Sequence, residues 1–288
     1  MSKVIPFLLA LTSIAAVPLA RSAESAGQGA AQEPDAQASS LPRSHWAPMM
    51  KPGMFYFDGA TGWVNSPALT PADLRGKVVL VDFWTYSCIN WRREFPYVRA
   101  WARKYRDRGL VVIGVHTPEF AFERSPENVQ RAIQEIGVDY PVALDNNLAI
   151  WRALGNSYWP AIYLIDGRGV VRYHHFGEGN YAASEKAIQR LLAEIDQVKV
   201  ADDLVVPMSG GAEAPADWAN LRSPENYIGL ARTSGLVVAA SRGQPRSYPA
   251  PPMVRANEWA PVGDWVLGDD SAVLQRAQGR IVYGFHAP

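Results

Sequence analysis

The stretch Lys77-Val-Val-Leu-Val-Asp-Phe-Trp84 constrains the fold of this chain more than any other segment. A short run that is apolar at nearly every position, instead of every second one, belongs to a strand covered on both faces. Such a strand needs helices on each side of its sheet, and the flanking sequence supplies them. A helix is predicted from Ile89 to Arg108, closed by Gly109 in the position usual past a helix end. Leu110–Val115 reads as a second buried strand. Ser125-Pro126 opens another helix that Gly137 ends, with proline at the first helical position. A short helix is expected from Asn147 to Leu154. Ala161–Ile165 and Val170–Phe176 flank Asp166-Gly-Arg-Gly169, a hairpin signal. A last helix, Ser184–Val198, carries Ile188, Leu191, Leu192 and Ile195 on one face. The pattern predicts an α/β domain with a mixed sheet between two helical layers.

Composition narrows the function classes. Hydrophobic residues make up 48% of the 288 and charged residues 19%, which argues against global disorder. Lys+Arg and Asp+Glu both total 28, so charge gives no case for a nucleic-acid partner. The one cysteine, Cys88, excludes an internal disulfide, a cysteine zinc site and an iron–sulfur cluster. Any redox partner of Cys88 must come from another molecule. His174 and His175 are neighbours on a strand and point to opposite faces, so they make no metal site. No metal and no cofactor are expected. His116 and Glu119 are read as loop residues after a strand, at the sheet edge where a site would lie, with His116 a satisfied loop histidine or, alternatively, a polar contact near that site.

The first residues read as a targeting segment. Lys3 precedes apolar stretches broken by Pro6 and Pro18, and small residues cluster at Ala20, Ser22 and Ala23. This predicts a cleaved signal peptide over 1–23, with an uncleaved anchor as the alternative. The stretch falls short of the ~20 unbroken apolar residues that span a bilayer. No later segment is a transmembrane candidate, so an exported chain, periplasmic or secreted, is expected. Residues 24–50, rich in Ala, Gln, Ser, Gly and Pro, are predicted to be a disordered tether.

Beyond the pattern lies a resemblance. Val81-Asp-Phe-Trp-Thr-Tyr-Ser-Cys-Ile-Asn-Trp91 resembles the active-site turn of thioredoxin-like proteins. Asp82 lies six residues before Cys88, Pro96 eight after it, and Trp159-Pro160 precedes a strand, all as in that family. The turn, with Tyr158-Trp-Pro-Ala161 and His175-Phe-Gly-Glu-Gly-Asn-Tyr181, looks like the exported redoxin domain of DipZ-type cytochrome c biogenesis proteins. The resemblance implies a thioredoxin fold over 51–198. It continues more weakly through Ser223–Gly229 and Asn257–Trp265, which resemble the start of the β-rich, carbohydrate-module-like domain of those proteins. DipZ proteins also carry a membrane part ahead of the redoxin domain, and the expectation here is a chain without it.

The resemblance assigns roles residue by residue. Cys88 would be the nucleophile, at a strand-to-helix junction where a helix N-terminus favours the thiolate. Asp82 would be the buried carboxylate that helps deprotonate a second thiol. Pro160 would be cis, with Trp84, Tyr86 and Trp159 forming an apolar substrate-binding rim around Cys88. Trp84 could equally cap the core. The departure is at position 91, where Cys88-Ile-Asn-Trp91 replaces the resolving cysteine by Trp91. No second thiol can release a mixed disulfide from within the chain, and Asp82 is left as a hydrogen-bonded core acid or without a role.

Several readings of Cys88 stay open. It forms mixed disulfides that an outside thiol resolves, it holds partners covalently, or it is inert beside Trp91. Thr85, three residues before Cys88, also matches the Thr-x-x-Cys of peroxiredoxins, although Val81 stands where that motif has proline. The leading expectation is an exported thiol–disulfide exchange protein acting through Cys88 on cysteine-containing exported proteins or a small thiol. The rivals are a retired thioredoxin-fold binding module and a glycan-binding protein. Residues 199–225 read as a linker. Residues 226–288 read as a partial β-sandwich segment, with strands at Leu236–Ala240, Trp265–Leu267 and Ile281–Tyr283 and an exposed edge.

Overall fold

The computed structural model describes residues 57–196, 202–208 and 210–286. The expected signal peptide, the tether, the first residues of the expected domain and residues 197–201 lie outside the described residues. The described chain divides into two compact units after Ala216.

The first unit is built on the strand that the apolar run predicts. Its elements are β1 (Gly62–Val64), α1 (Pro71–Leu74), β2 (Val78–Trp84), α2 (Ile89–Tyr105), β3 (Leu110–His116), α3 (Pro126–Ile136), β4 (Val142–Leu144), α4 (Ala149–Ala153), β5 (Ala161–Ile165), β6 (Val171–Phe176) and α5 (Tyr181–Asp196). The strands form one sheet in the order β1-β4-β3-β2-β5-β6. β2, β3 and β4 are parallel, and the other pairings are antiparallel. This is the mixed sheet of a thioredoxin fold. Every residue of β2 is buried. Because side chains alternate along a strand, Val78, Leu80 and Trp84 enter one apolar cluster while Val79, Val81 and Phe83 enter the other. Asp82 falls on the face shared with Trp91, Phe95 and Val98 of α2.

Local signals set the element ends. Ser125 caps α3 by accepting from the Asn128 N–H, Pro126 follows it, and Gly137 ends the helix at a φ of 79°. α2 tightens into a 3₁₀ turn at Arg106–Arg108, and Gly109 turns the chain at a φ of 92°. Two strands were not legible. β1 and β4 have three residues each, too short for a periodicity. α5 starts at Tyr181, three residues before the predicted Ser184. Asn180, at a φ of 50°, turns the chain, and the buried Ser184 hydroxyl pairs with Tyr173 instead of capping the helix.

Part of the expected linker is bound to this unit. The Val205 N–H donates to Glu185 Oε2 at 2.8 Å, Gln189 donates to the Asp203 carbonyl at 3.0 Å, and Lys104 bridges Glu185 and Asp203.

The second unit is an antiparallel sheet. β7 (Pro245–Tyr248), β9 (Ala272–Leu274) and β10 (Arg280–Tyr283) all pair with the long β8 (Trp259–Leu267). Tyr248, Trp265 and Leu267 form its buried centre. The strand predicted at Leu236–Ala240 does not form. Gly235 turns the chain at a φ of 67°, leaving one isolated bridge between Leu236 and Trp259. The apolar run still serves packing, since every second residue of it, Leu236, Val238 and Ala240, lies against the cluster.

Candidate active site

β2 ends at Trp84, and the turn Thr85-Tyr86-Ser87 brings the chain into α2. Cys88 is the N-cap of that helix, with extended backbone angles and no side-chain cap bond. Its carbonyl accepts from the Arg92 N–H at 3.1 Å, and its own N–H donates to the Thr85 carbonyl at 3.2 Å. The half-buried sulfur therefore sits where first-turn N–H groups lack helical partners and the helix dipole is positive.

Trp91 lies one turn further on, turned into the core and fully buried. Its indole N–H donates to Asp82 Oδ2 at 3.0 Å, and its ring stacks on Trp84 with centroids 4.3 Å apart and planes 25° from parallel. The Tyr140 hydroxyl donates to the same Asp82 oxygen at 3.1 Å. Burial pushes the Asp82 carboxyl up to about 7, against the pull of those two donors. Asp82 is thus a hydrogen-bonded core acid whose partners are the Trp91 indole and the Tyr140 hydroxyl. Gly114, paired with Asp82 across β2 and β3, leaves room for this group. A Cβ there would lie 2.8 Å from Trp84 Nε1 and 3.0 Å from the Tyr140 ring.

The rim differs from its expected composition. Trp84 is fully buried and offers no surface to a substrate, so of its two expected roles it takes the core one. Tyr86 is half-buried, donates to the Phe122 carbonyl at 3.3 Å and lies parallel to the His116 ring. Burial and the Glu123 charge push its phenol up to about 12. Ser87 donates to Glu123 Oε1 at 2.5 Å, while the other oxygen of that buried carboxylate accepts from the Glu119 and Phe120 N–H groups. Trp159 is half-buried, donates to the Thr117 carbonyl at 3.0 Å and packs against Trp151. Pro160 follows a cis peptide and is itself buried. Residues 117–124 therefore tie the Cys88 turn and the Trp159-Pro160 turn to one loop.

His116 corrects an expectation. It is the last residue of β3, not a loop residue, and is fully buried, with Nε2 3.4 Å from the Thr85 hydroxyl. Burial pushes its imidazole down to about 3, so it is neutral and supplies no cation to the site. Sequence reasoning missed Tyr140, Glu123 and Glu94. Only Glu94 left a signal, an acidic residue inside the apolar stripe of Trp91, Phe95 and Val98.

Two stretches of the chain match known families. Residues 65–174 match the AhpC/TSA family, and residues 223–288 match a thioredoxin-like C-terminal domain. Protein DipZ of Mycobacterium tuberculosis is 42% identical over 233 residues, which are 80% of this chain and 33% of that protein. The first unit is a thioredoxin-like domain of the DipZ type. The chain spans about a third of the length of the DipZ proteins it matches. The DipZ-type domain is also similar to the thiol-disulfide oxidoreductase YkuV of Bacillus subtilis, at 29% identity over 48% of this chain and 93% of that one. Among solved structures, a thioredoxin-like protein in its oxidised form shares 31% identity, with a TM-score of 0.44 over 48% of this chain and 93% of its own. No helix among the described residues is long and apolar enough to cross a membrane.

Proposed function

We infer that this chain is an exported thiol–disulfide exchange protein that works through Cys88 alone. The observation that carries the reading is Cys88 at the N-cap of α2, with the position of a resolving thiol filled by a buried, hydrogen-bonded Trp91. The Cys88 thiolate attacks a partner disulfide. One S–S bond forms between Cys88 and the partner, and the other partner sulfur leaves as a thiolate. Trp91 has no thiol with which to attack the adduct, so the adduct persists until an outside thiolate attacks it. That second attack regenerates Cys88 and leaves the outside thiol joined to the partner sulfur. The outside thiol thus takes the place of Cys88 in the disulfide and leaves one partner sulfur reduced; a second equivalent of that thiol frees the other partner sulfur and leaves as its own disulfide. Asp82, occupied by Trp91 and Tyr140, serves the core and not a second thiol. The proposed partners are exported proteins with accessible cysteines or a small thiol, and the DipZ resemblance is the support for proposing a link to cytochrome c maturation.

A retired site is the second reading, and the depth to which Trp91 is built into the core favours it. Incubation with an oxidised periplasmic extract separates the two. The exchange reading expects disulfide-linked adducts that Cys88→Ser abolishes and excess dithiothreitol releases. A retired site gives none from the folded chain.

A further inference from the structure

The cations of α2 are engaged with partners, with one exception among the described residues. Arg93 pairs with Glu178 at 2.6 Å and donates to Asn90 at 3.1 Å. Arg99 covers the Phe95 ring with Glu213 at 4.0 Å, Arg103 pairs with Asp139 at 2.9 Å, and Lys104 pairs with Glu185 at 3.0 Å. Arg92 has no ion pair and no side-chain hydrogen bond among the described residues, and its buried Nε is without a partner there. The residue is half-buried, so its stem lies against the protein.

The place of Arg92 on the helix turns its charge towards the cysteine. The Arg92 N–H donates to the Cys88 carbonyl at 3.1 Å, which puts the two residues one turn apart on one face. Side chains on a helix lean towards its N-terminus, and positions four apart have Cβ atoms about 5–6 Å from each other. Arg92 therefore leans over the turn that carries Cys88, whereas Trp91 enters the core and Arg93 turns to the β6–α5 loop. The acid that reaches this turn, Glu123, is taken up by Ser87 and by the Glu119 and Phe120 N–H groups.

A guanidinium offers a planar fork of N–H donors that matches a carboxylate. We propose that Arg92 is a specificity residue that selects small disulfides and thiols carrying a carboxylate near the sulfur. The proposal rests on the exchange reading of Cys88. The Cys88 thiolate attacks one sulfur of such a disulfide, and an S–S bond forms to Cys88. The other half leaves as a thiolate with the electron pair of the broken bond. Arg92 holds the carboxylate of the half that joins Cys88, and the positive end of α2 adds to the same preference.

The test uses three disulfides of different charge on the full chain: oxidised glutathione (anionic), hydroxyethyl disulfide (neutral) and cystamine (cationic). Intact mass against time gives a rate of adduct formation for each, and the deciding quantity is the ratio of the glutathione rate to the cystamine rate. Arg92→Gln is expected to lower that ratio roughly threefold or more, as one unit charge acting over several ångströms near a surface does. Arg92→Lys, which keeps the charge, is expected to retain most of it. A looser turn or a changed thiolate fraction alters all three rates by the same factor, so a merely structural role leaves the ratio unmoved. Should Arg92→Gln not fold, Arg92→Met, which keeps an apolar stem, carries the same comparison. Adducts that form with the same ratio in wild type and variant overturn the proposal alone. A folded wild-type chain that gives no adduct with any of the three overturns the exchange reading, and the proposal with it.

Discussion

At position 91 one indole makes contacts that a cysteine could not combine: a hydrogen bond to Asp82, a stack on Trp84 and a tilted ring contact with Phe95. These contacts can be separated by substitution. Trp91→Phe keeps much of the ring packing and removes the donor, leaving Tyr140 as the remaining donor to Asp82. A loss of about 1–3 kcal/mol is expected from denaturant titration, the usual cost of a buried acceptor deprived of its partner. A loss under about 0.5 kcal/mol would mean that the hydrogen bond adds little. Cys88, Asp82 and Trp91 could be singled out by their spacing in a turn that resembles thioredoxin-like proteins, and Pro160 by its place just before a strand. Tyr140, 58 residues from Asp82, was not legible, because β4 brings it to Asp82 through tertiary pairing. Trp84 was ambiguous for a related reason. A tryptophan ending a buried strand serves a core or a rim, and only the placement of Trp91 decides between them.

Among the elements, β2 and β3 carry the site because one glycine lets them. Gly114 lies where any side chain would press on Trp84 and Tyr140, and both are fixed by their own partners. Gly114→Ala is therefore expected to cost about 1–3 kcal/mol, as overpacking does in a dense core, and to disturb the Trp84–Trp91 stack. Near-ultraviolet circular dichroism reports that stack directly. An unchanged aromatic spectrum with unchanged stability would show that the core has slack at this point. Elements with strong local signals were read correctly from sequence, including the buried β2 and β3 and the capped α3. The three-residue strands β1 and β4 depend on neighbours for their existence and left no local pattern. Leu236–Ala240 shows the converse, since a short apolar run packs against the cluster without becoming a strand once Gly235 redirects its backbone.

On the scale of the whole molecule, the chain is a DipZ-type thioredoxin-like unit followed by a separate antiparallel sheet. The chemistry proposed lies entirely in the first unit. Its central claim is that Cys88 is a working thiol in the folded chain, although Trp91 has closed the internal route to release. Incubating the native full chain with oxidised glutathione and recording its intact mass tests that claim most directly. A single glutathione adduct is expected, absent in Cys88→Ser, stable in buffer because no second thiol of the chain can expel it, and removed by excess reduced thiol. An adduct that forms only after denaturation would instead leave Cys88 as a core residue of a retired site.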